Sequence, residues 1–230
     1  MVPVALFTYN RPIHLSKVLD ALKANNIALL YVFSDAARDC GDIDKVREVR
    51  KIIDAIDWVE KKVIKEDINK GVARSIVDGV SRVLKEHESI IVLEDDCVPA
   101  QDFYDYMLQC LEHYKNEEKI FCVSAYLLPV KSRIFAHYPY DVFFWGRFWS
   151  WGWGTWRRSW EKFNCDFVSL IKEAEKQNID TSLFGQDVSM ARLRKMICRN
   201  DTWAGPFFLT MALNKTLSVY PKKSYIKNIG

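Results

Sequence analysis

Phosphate-binding glycine loops are missing from this 230-residue sequence. It has nine glycines, and neither G-x-x-x-x-G-K-S/T nor G-x-G-x-x-G occurs among them. Their absence excludes a P-loop NTPase and leaves a dinucleotide-binding Rossmann fold without support. If this chain binds phosphate groups, a metal ion and side chains must hold them.

Metal-binding cysteine and histidine motifs and long apolar runs are also missing. No two of the six cysteines are spaced C-x-x-C and the four histidines are scattered, so there is no zinc signature. We interpret the cysteines as reduced thiols, as in cytosolic proteins. Met1 leads directly into an apolar run, so we expect no signal peptide, and no apolar run reaches the roughly 18 residues of a membrane span. We therefore expect a cytoplasmic protein whose membrane contact, if any, is peripheral.

Charge is divided unevenly along the chain. The apolar fraction of 49% and the charged fraction of 27% are ordinary for a globular domain, and the net charge of +3 does not indicate a nucleic-acid partner. Residues 1–130 carry 17 Lys and Arg against 22 Asp and Glu (net −5), and residues 131–230 carry 16 against 8 (net +8). The basic half suggests an anionic partner, either a phosphate-bearing substrate or the inner face of a membrane, with a solvated basic surface as the alternative.

Strand-like and helix-like patterns alternate over the first 125 residues. The predicted strands are Val2–Thr8, Ala28–Ser34, Val59–Ile64, Ser89–Leu93 and Phe121–Ala125. The predicted helices begin near Pro12 and cover Asp44–Ile56, Val72–His87 and Ala100–Tyr114. Strands that are apolar on both faces favour an α/β fold with a mostly parallel sheet flanked by helices.

The remaining residues, 126–230, form an aromatic-rich elaboration of the same single domain. Six of the eight tryptophans lie between Trp145 and Trp160. We expect part of this cluster to pack in a core and a minority to line a pocket. Its arginines, Arg147, Arg157 and Arg158, either meet phosphate groups or stack on the rings. A helix over Asp187–Arg199 and a strand over Leu217–Tyr220 are also predicted.

Three consecutive carboxylates, Glu94-Asp95-Asp96, follow the predicted strand Ser89–Leu93. Their mutual repulsion is unfavourable unless a cation offsets it. A divalent metal held by one or two carboxylates and by substrate phosphates would do so. The alternative is a solvated turn in which Asp96 or a neighbour caps the next helix.

Polar residues also end two other predicted strands, at Thr8–Arg11 and Ser34–Asp39. Ligands of open α/β sheets bind outside the carboxyl ends of the strands. We therefore expect these two segments and Glu94–Asp96 to gather at one edge of the sheet. Asn10 could instead serve only as a helix cap, and Asp35 could only end its strand.

The order of these motifs resembles that of GT-A (Rossmann-like) glycosyltransferases. The set comprises Thr8-Tyr9-Asn10-Arg11-Pro12, Ser34-Asp35, Asn69-Lys70-Gly71 with Arg74, and Glu94-Asp95-Asp96. More narrowly, the chain is similar to bacterial family 2-like sugar transferases of surface-polysaccharide loci. It is distantly similar to the N-acetylglucosaminyltransferase I group, which shares an EDD motif followed by segments like Pro99–Tyr106 and Cys122–Ala125. The resemblance spans nearly the whole chain.

The resemblance implies a site for a UDP-linked nucleotide-sugar donor and for Mn²⁺ or Mg²⁺. It makes Asp96 the metal ligand, Asp95 a partner of the ribose or donor sugar, and Glu94 a partner of a sugar hydroxyl. It has Asp35 accept a hydrogen bond from the uracil ring. The other nucleotide-binding residues that it implies are Thr8, Tyr9, Asn10, Arg11, Lys70 and Arg74. The last two could instead only begin a solvated helix face.

Asp187 opens a predicted helix and follows Gly185-Gln186. An aspartate at this position is as much expected to be a helix N-cap as a functional residue. The resemblance to the N-acetylglucosaminyltransferase I group implies a general base here, although Gln186 replaces the first acid of that group's acidic pair. A carboxylate aimed at the acceptor hydroxyl is what inverting transfer requires. The alternatives are a retaining transferase with a structural Asp187 and a catalytically silent glycan-binding module that uses the tryptophans.

The resemblance also divides the single domain, 1–230, into two parts. Residues 1–125 would bind the nucleotide-sugar, and residues 126–230 would bind the acceptor, a glycan or a lipid-linked saccharide. In the resembled proteins the sequence continues beyond a segment like Tyr225–Gly230. This chain could therefore be the first domain of a longer protein, or a trimmed one.

Overall fold

The computed structural model describes residues 1–129, 135–197 and 202–230. Strands and helices alternate in the order β1 (Val4–Thr8), α1 (Pro12–Ala24), β2 (Leu29–Ser34), α2 (Ile43–Asp54), β3 (Glu60–Lys65), α3 (Val72–Glu86), β4 (Ser89–Glu94), β5 (Cys97–Pro99), α4 (Phe103–His113) and β6 (Ile120–Ser124). Every strand and helix predicted for this part is confirmed to within a few residues. Strand β5 was not predicted, because three residues are too few to show a period.

The second part is less regular. It contains β7 (Val142–Trp145), β8 (Trp153–Trp156), α5 (Arg157–Trp160), α6 (Phe167–Lys176), α7 (Met190–Ile197), α8 (Ala204–Leu213), β9 (Leu217–Pro221) and β10 (Ile226–Asn228). The predicted strand Leu217–Tyr220 is confirmed as β9. The helix predicted over residues 187–199 begins only at Met190, and its last two predicted residues lie outside the described ranges.

Within the described ranges, eight strands form one sheet in the order β3-β2-β1-β4-β8-β6-β9-β7. Strands β1 to β4 pair in parallel, as do β6 and β9. Strand β8 runs antiparallel between β4 and β6, and β7 runs antiparallel beside β9. The mostly parallel sheet is thus confirmed, and its two antiparallel strands come from the aromatic-rich elaboration. Strands β5 and β10 pair separately, also antiparallel.

The register of the central strands fixes where the chain leaves the sheet. Thr8 lies beside Ser34, and Phe7 lies beside Glu94. Parallel strands share a carboxyl edge, so the segments that follow β1, β2 and β4 emerge side by side. The three polar strand ends therefore meet at this edge, as predicted.

The sheet separates two layers of core, because alternate residues of a strand face opposite sides. One layer packs against α1, α2 and α4, and the other against α3, α6 and α8. Strand β8 contributes Trp156 to the first layer and Trp153 to the second, both buried. Part of the tryptophan cluster is thus core, as predicted. Each large apolar side chain buried in these layers stabilises the fold by about 1.5–3 kcal/mol.

Among the described residues, no helix combines the length and the apolar content that crossing a bilayer requires.

Candidate active site

A cleft of about 420 Å³ opens at the carboxyl edge of β1, β2 and β4. The loops after these strands and the first turn of α3 form its walls. Eight of the predicted site residues line it, namely Thr8, Tyr9, Asn10, Arg11, Asp35, Glu94, Asp95 and Asp96. The structure thus brings together residues that are up to 88 positions apart in the sequence (from 8 to 96).

The three consecutive carboxylates form the acidic end of this cleft. Burial, together with the charges of Asp96 and Asp95, raises the pKa of Glu94 to about 7. Burial also raises the pKa of Asp95 to about 6, although the backbone N–H of Tyr9 donates to its Oδ2 at 2.9 Å. Loss of hydration on burial is thus the main reason why the ionised forms of these two carboxylates are disfavoured.

Asp96 is the member of this cluster that meets a cation within the protein. The half-exposed guanidinium of Arg11 forms an ion pair with its carboxylate, whose side chain is 14% exposed. The segment after β10 packs against the same turn, because the Ile229 N–H donates to the Asp96 carbonyl oxygen at 2.9 Å. His14 Nε2 lies 3.1 Å from the Ile229 carbonyl oxygen. Asp96 thus lies where α1, β4 and the final segment converge.

Asp35 organises the opposite wall of the cleft. Its buried carboxylate accepts four hydrogen bonds, from the backbone N–H groups of Ala36, Lys70 and Gly71 at 2.9–3.0 Å and from the Asn69 side chain at 3.1 Å. These bonds use the roughly four lone-pair positions of a carboxylate. A hydrogen bond from a uracil ring, as the resemblance implies, would have to replace one of them. Asp35 holds the 69–71 turn that begins α3.

Tyr9 and Asn10 are tied to helix α2 rather than to α1. The Tyr9 hydroxyl and the Asn10 side-chain amide both donate to Asp42, which is the N-cap residue of α2. These two bonds lower the pKa of Asp42, and burial raises the pKa of Tyr9. The N-cap position of α1 belongs to Arg11, so the interpretation of Asn10 as the cap is wrong. The Asp42 contact explains why: it removes the amide from the helix end.

Two predicted residues lie apart from the cleft lining. The Lys70 ammonium forms ion pairs with Glu66 at 2.9 Å and Asp78 at 3.1 Å, and the Glu66 hydrogen bond raises its pKa. The Arg74 guanidinium lies 3.8 Å from Asp78. Both side chains are therefore directed to carboxylates outside the described lining of the cleft.

Seven residues that line the cleft were not among the predicted site residues: Phe7, Val72, Ser75 and Ile76 belong to β1 and α3, and the other three lie in loops. These three are Arg38, whose side chain is 72% exposed, Asn69 and Gly71. A signal for each was present: Arg38 belongs to the polar segment after β2, and Asn69 and Gly71 flank a residue that was predicted. Gly71 has a φ of 75°, a conformation that favours glycine, so the 69–71 turn depends on glycine at this position.

Asp187, the predicted general base, lies in a short 3₁₀ turn over residues 186–188 and outside the described lining of the cleft. Its carboxylate pairs with Arg147: Oδ1 accepts from Nη1 at 2.9 Å, and Oδ2 accepts from Nη2. This hydrogen bonding lowers the pKa of Asp187. The interpretation of Asp187 as an α-helix N-cap is wrong, because the helix starts at Met190 and the carboxylate is committed to Arg147.

Arg147 is built into the core as the partner of that carboxylate. Its side chain is 3% exposed and its guanidinium lies 4.6 Å from the Trp149 ring and 5.7 Å from the Trp145 ring. Gly185 makes room for it: with φ of 139°, a Cβ there would lie 2.3 Å from Nη1. The other two arginines of the cluster, Arg157 and Arg158, donate to backbone carbonyls of α3, of the segment after α4 and of Ile120 in β6.

A cation would have to be held by few protein ligands. Among the described residues, no group of three or more His, Cys, Asp or Glu side chains is arranged to hold a metal ion. Mg²⁺ and similar hard cations prefer oxygen ligands. The suitable ligands here are one or two carboxylates of Glu94–Asp96, the EDD turn, completed by phosphate oxygens of a bound ligand.

Comparison with known proteins supports the fold. No protein-family model matches the sequence, and neither does any curated protein. The mannosyltransferase PcManGT from Pyrobaculum calidifontis, solved in complex with GDP-Man and Mn²⁺, is similar with a TM-score of 0.53 and 14% sequence identity, over 93% of this chain and 68% of that one. A UDP-glucose pyrophosphorylase complexed with UDP-glucose matches over 99% of this chain and 92% of its own, at 10% identity and a TM-score of 0.43, too low to support an argument. The first likeness confirms the α/β fold predicted as GT-A.

Proposed function

We propose that this chain is a metal-dependent, inverting glycosyltransferase. It moves a sugar from a UDP-linked donor to a hydroxyl of a glycan or a lipid-linked saccharide. The observation that carries the proposal is the gathering of Glu94–Asp96 with two polar strand ends in one cleft. The fold shared with a mannosyltransferase that binds GDP-Man and Mn²⁺ supports it. The five described cysteines are free, which supports a reducing compartment such as the cytoplasm.

The EDD turn suits Mn²⁺ or Mg²⁺. Burial raises the pKa values of Glu94 and Asp95, and a bound cation would favour their ionised forms. We assign Asp96 as the residue that would hold the ion, as the resemblance implies. Its carboxylate lines the cleft and would exchange Arg11 for the ion. When bound, the ion would supply Lewis-acid stabilisation of the leaving diphosphate. Arg11, whose side chain is 46% exposed, would contact the same diphosphate.

The remaining cleft residues would hold the nucleoside. Tyr9 and Asn10 are fixed by Asp42, and the 69–71 turn is fixed by Asp35, so both walls are rigid before a ligand arrives. Rigid walls lower the entropy cost of binding. Lys70 and Arg74 would reach the nucleotide only by leaving Asp78, so their contribution is the smaller one.

Asp187 would act as the general base. Its carboxylate is 48% exposed, so an acceptor hydroxyl can reach it, while the buried Arg147 fixes its orientation and keeps it ionised at neutral pH. The hydroxyl proton passes to Asp187 as the hydroxyl oxygen bonds to the anomeric carbon. The bond from that carbon to the diphosphate breaks, and its electron pair leaves with the diphosphate.

A thermal-shift titration with UDP, GDP and CDP, with and without Mn²⁺, tests this proposal. A ligand that binds the folded state alone raises the melting temperature by mass action. We expect stabilisation by UDP and Mn²⁺ together, and loss of that response in Asp96→Ala. The matched control is Asp44→Ala, which removes a carboxylate that is 89% exposed on α2. If Asp96→Ala still responded like the control, the metal assignment would be wrong.

One observation favours a second candidate function. Asp187 lies outside the described lining of the cleft, which suits a retaining transferase in which the pair with Arg147 is structural. The anomeric configuration of the product distinguishes the two. For the inverting enzyme, Asp187→Asn should keep near-normal UDP affinity and lose transfer. Retained turnover would leave Asp187 with a structural role only.

A further inference from the structure

A second cavity, of about 480 Å³, lies beside strand β10 in the half of the chain assigned to the acceptor. Its walls combine aromatic rings with amino groups. The side chains that matter here are Tyr126, Trp151, Lys222, Lys223, Lys227 and Asn228. The mechanism described above uses none of these side chains.

The charge in this cavity is positive. Among the described residues, no Asp or Glu lines it. Lys222 is neutralised by Asp141, 2.9 Å away on the neighbouring segment. The Lys223 ammonium lies 5.7 Å from the centre of the Tyr225 ring, and neither it nor the exposed Lys227 forms an ion pair within the described part of the chain. Two uncompensated ammonium groups therefore favour an anion here.

The aromatic wall suits a sugar ring. Tyr126 and Trp151 meet edge to face with centroids 4.8 Å apart, and both remain half-buried, in contrast to the fully buried Trp153. Trp149 contacts both rings. Aromatic surface with a few well-placed polar groups is typical of a small-molecule site.

The cavity is connected to the EDD turn through β10. Asn228, which lines the cavity, donates to the Cys97 sulfur at 3.8 Å, and the next residue, Ile229, donates to the Asp96 carbonyl oxygen at 2.9 Å. Strand residues rise about 3.3 Å each, so the three residues of β10 span on the order of 10 Å. A molecule in the cavity could therefore extend toward the cleft.

We propose that this cavity is an acceptor subsite for a saccharide that carries an anionic group, either a phosphate or diphosphate or a sugar carboxylate. The proposal rests on the proposed transferase function. The sugar face packs on Trp151 and Tyr126, the anion lies at Lys223 and Lys227, and the rest of the saccharide extends along β10 toward the cleft.

Binding of defined saccharides tests the cavity separately from the cleft. The probes are glucose 1-phosphate, glucuronic acid and glucose, titrated by ligand-observed NMR with UDP and Mg²⁺ present to occupy the cleft. The variant Lys223→Gln/Lys227→Gln is compared with Lys162→Gln/Lys172→Gln, which removes two exposed, unpaired ammonium groups elsewhere in the described chain. We expect the first variant to weaken glucose 1-phosphate or glucuronic acid binding about fivefold, with glucose unchanged. The loss should be smaller at high salt.

The outcomes separate the possibilities. Tighter binding of glucose 1-phosphate than of glucuronic acid assigns a phosphate, the reverse assigns a carboxylate, and both support the proposal. Equal weakening in both double variants, or no binding of either anion by the wild type, overturns it. Lysine-dependent binding to phosphatidylglycerol vesicles without saccharide binding also overturns it, in favour of a membrane contact. The melting temperature with UDP and Mn²⁺ is recorded on the same proteins. If UDP and Mn²⁺ do not stabilise the wild type, and anion binding still depends on the lysines, the transferase proposal is refuted and the anion site is not.

Discussion

The ion pair between Arg147 and Asp187 joins a buried cation to a half-exposed anion, and this asymmetry predicts unequal costs for its two halves. The Arg147 side chain is 3% exposed and the Asp187 side chain is 48% exposed. Asp187→Asn leaves a buried guanidinium without its counter-charge. Arg147→Met leaves a carboxylate that water can solvate. We therefore expect the aspartate substitution to lower the free energy of unfolding more than the arginine substitution.

The magnitudes follow from the contacts. Removing one partner of a buried ion pair costs about 3–5 kcal/mol. For Asp187→Asn we expect the lower end of this range, about 3 kcal/mol. The asparagine oxygen can still accept a hydrogen bond from Arg147, and water reaches the half-exposed side chain at position 187. Arg147→Met loses two cation–π contacts, each about 0.5–1 kcal/mol, and a bond to the Phe184 carbonyl, but it also removes a charge that is costly to bury. The net loss should be about 1 kcal/mol.

Urea unfolding of the two single variants and the double variant measures this asymmetry. The gap of about 2 kcal/mol corresponds to roughly 4–8 °C in Tm for a chain of this length. The double variant should resemble Arg147→Met, since the buried charge is gone. Asp44→Asn, which touches only a surface pair with Arg47, is the control and should stay within about 0.5 kcal/mol of the wild type. Equal losses in the two single variants, or a larger loss in Arg147→Met, would refute the reasoning.

Two other substitutions test separate parts of the structure, and a change of pH tests the Arg147–Asp187 pair in a second way. Gly79→Ala should lower stability in urea by about 1 kcal/mol, because its Cβ would lie 2.6 Å from the Phe7 ring; unchanged stability would mean that the ring yields freely. Asp35→Asn should cost about 1–3 kcal/mol and weaken UDP binding in calorimetry, because its amide would face the N–H donors that now bind the carboxylate; full UDP affinity would separate that turn from the nucleotide. The Arg147 hydrogen bond lowers the pKa of Asp187, so its stabilisation is complete above the unfolded pKa of about 3.9 and is lost as pH falls through the lower folded value. The Tm difference between wild type and Arg147→Met should shrink below about pH 4, and a constant difference there would contradict this.

The first half of the fold was predictable because its pattern is local. Strands β1, β2 and β4 lie in apolar runs, and the helices between them show apolar residues at helical spacing. Strand β3 is the exception, with four charged residues of six. Strands β7 and β8 have four residues each and lie in sequence rich in aromatics, so no alternation identifies them. Their place in the sheet is decided by long-range packing, such as that of Trp153 and Trp203, whose rings stack at 5.1 Å.

In the candidate site, too, some contacts follow from fold class or local spacing and others depend on long-range packing. Parallel pairing forces the ends of β1, β2 and β4 to one edge, so that part of the cleft follows from fold class alone. The pair Arg74–Asp78 has the i,i+4 spacing of an ion pair within a helix, α3, so this partner was readable from the sequence. Glu66–Lys70 lies in the loop before α3 and was not. No comparable sign links Arg147 to Asp187, forty positions apart, because the contact depends on how the second half packs.

The acidic and basic halves of the sequence meet in space at strand β10, and their opposite charges suit opposite tasks. Carboxylates that hold a divalent cation also repel an anionic acceptor, and the charges of Asp96 and Asp95 already add to the effect of burial in raising the pKa of Glu94. Lys227 lies in β10 opposite Val98, which is two residues from Asp96 along the chain, and Lys223 precedes β10 by three residues, so both lie near the EDD turn but outside it. From there the lysines can offset the repulsion without displacing the metal. If both proposals hold, removing the lysines should raise KM for an anionic acceptor most at low salt, while the donor affinity stays unchanged.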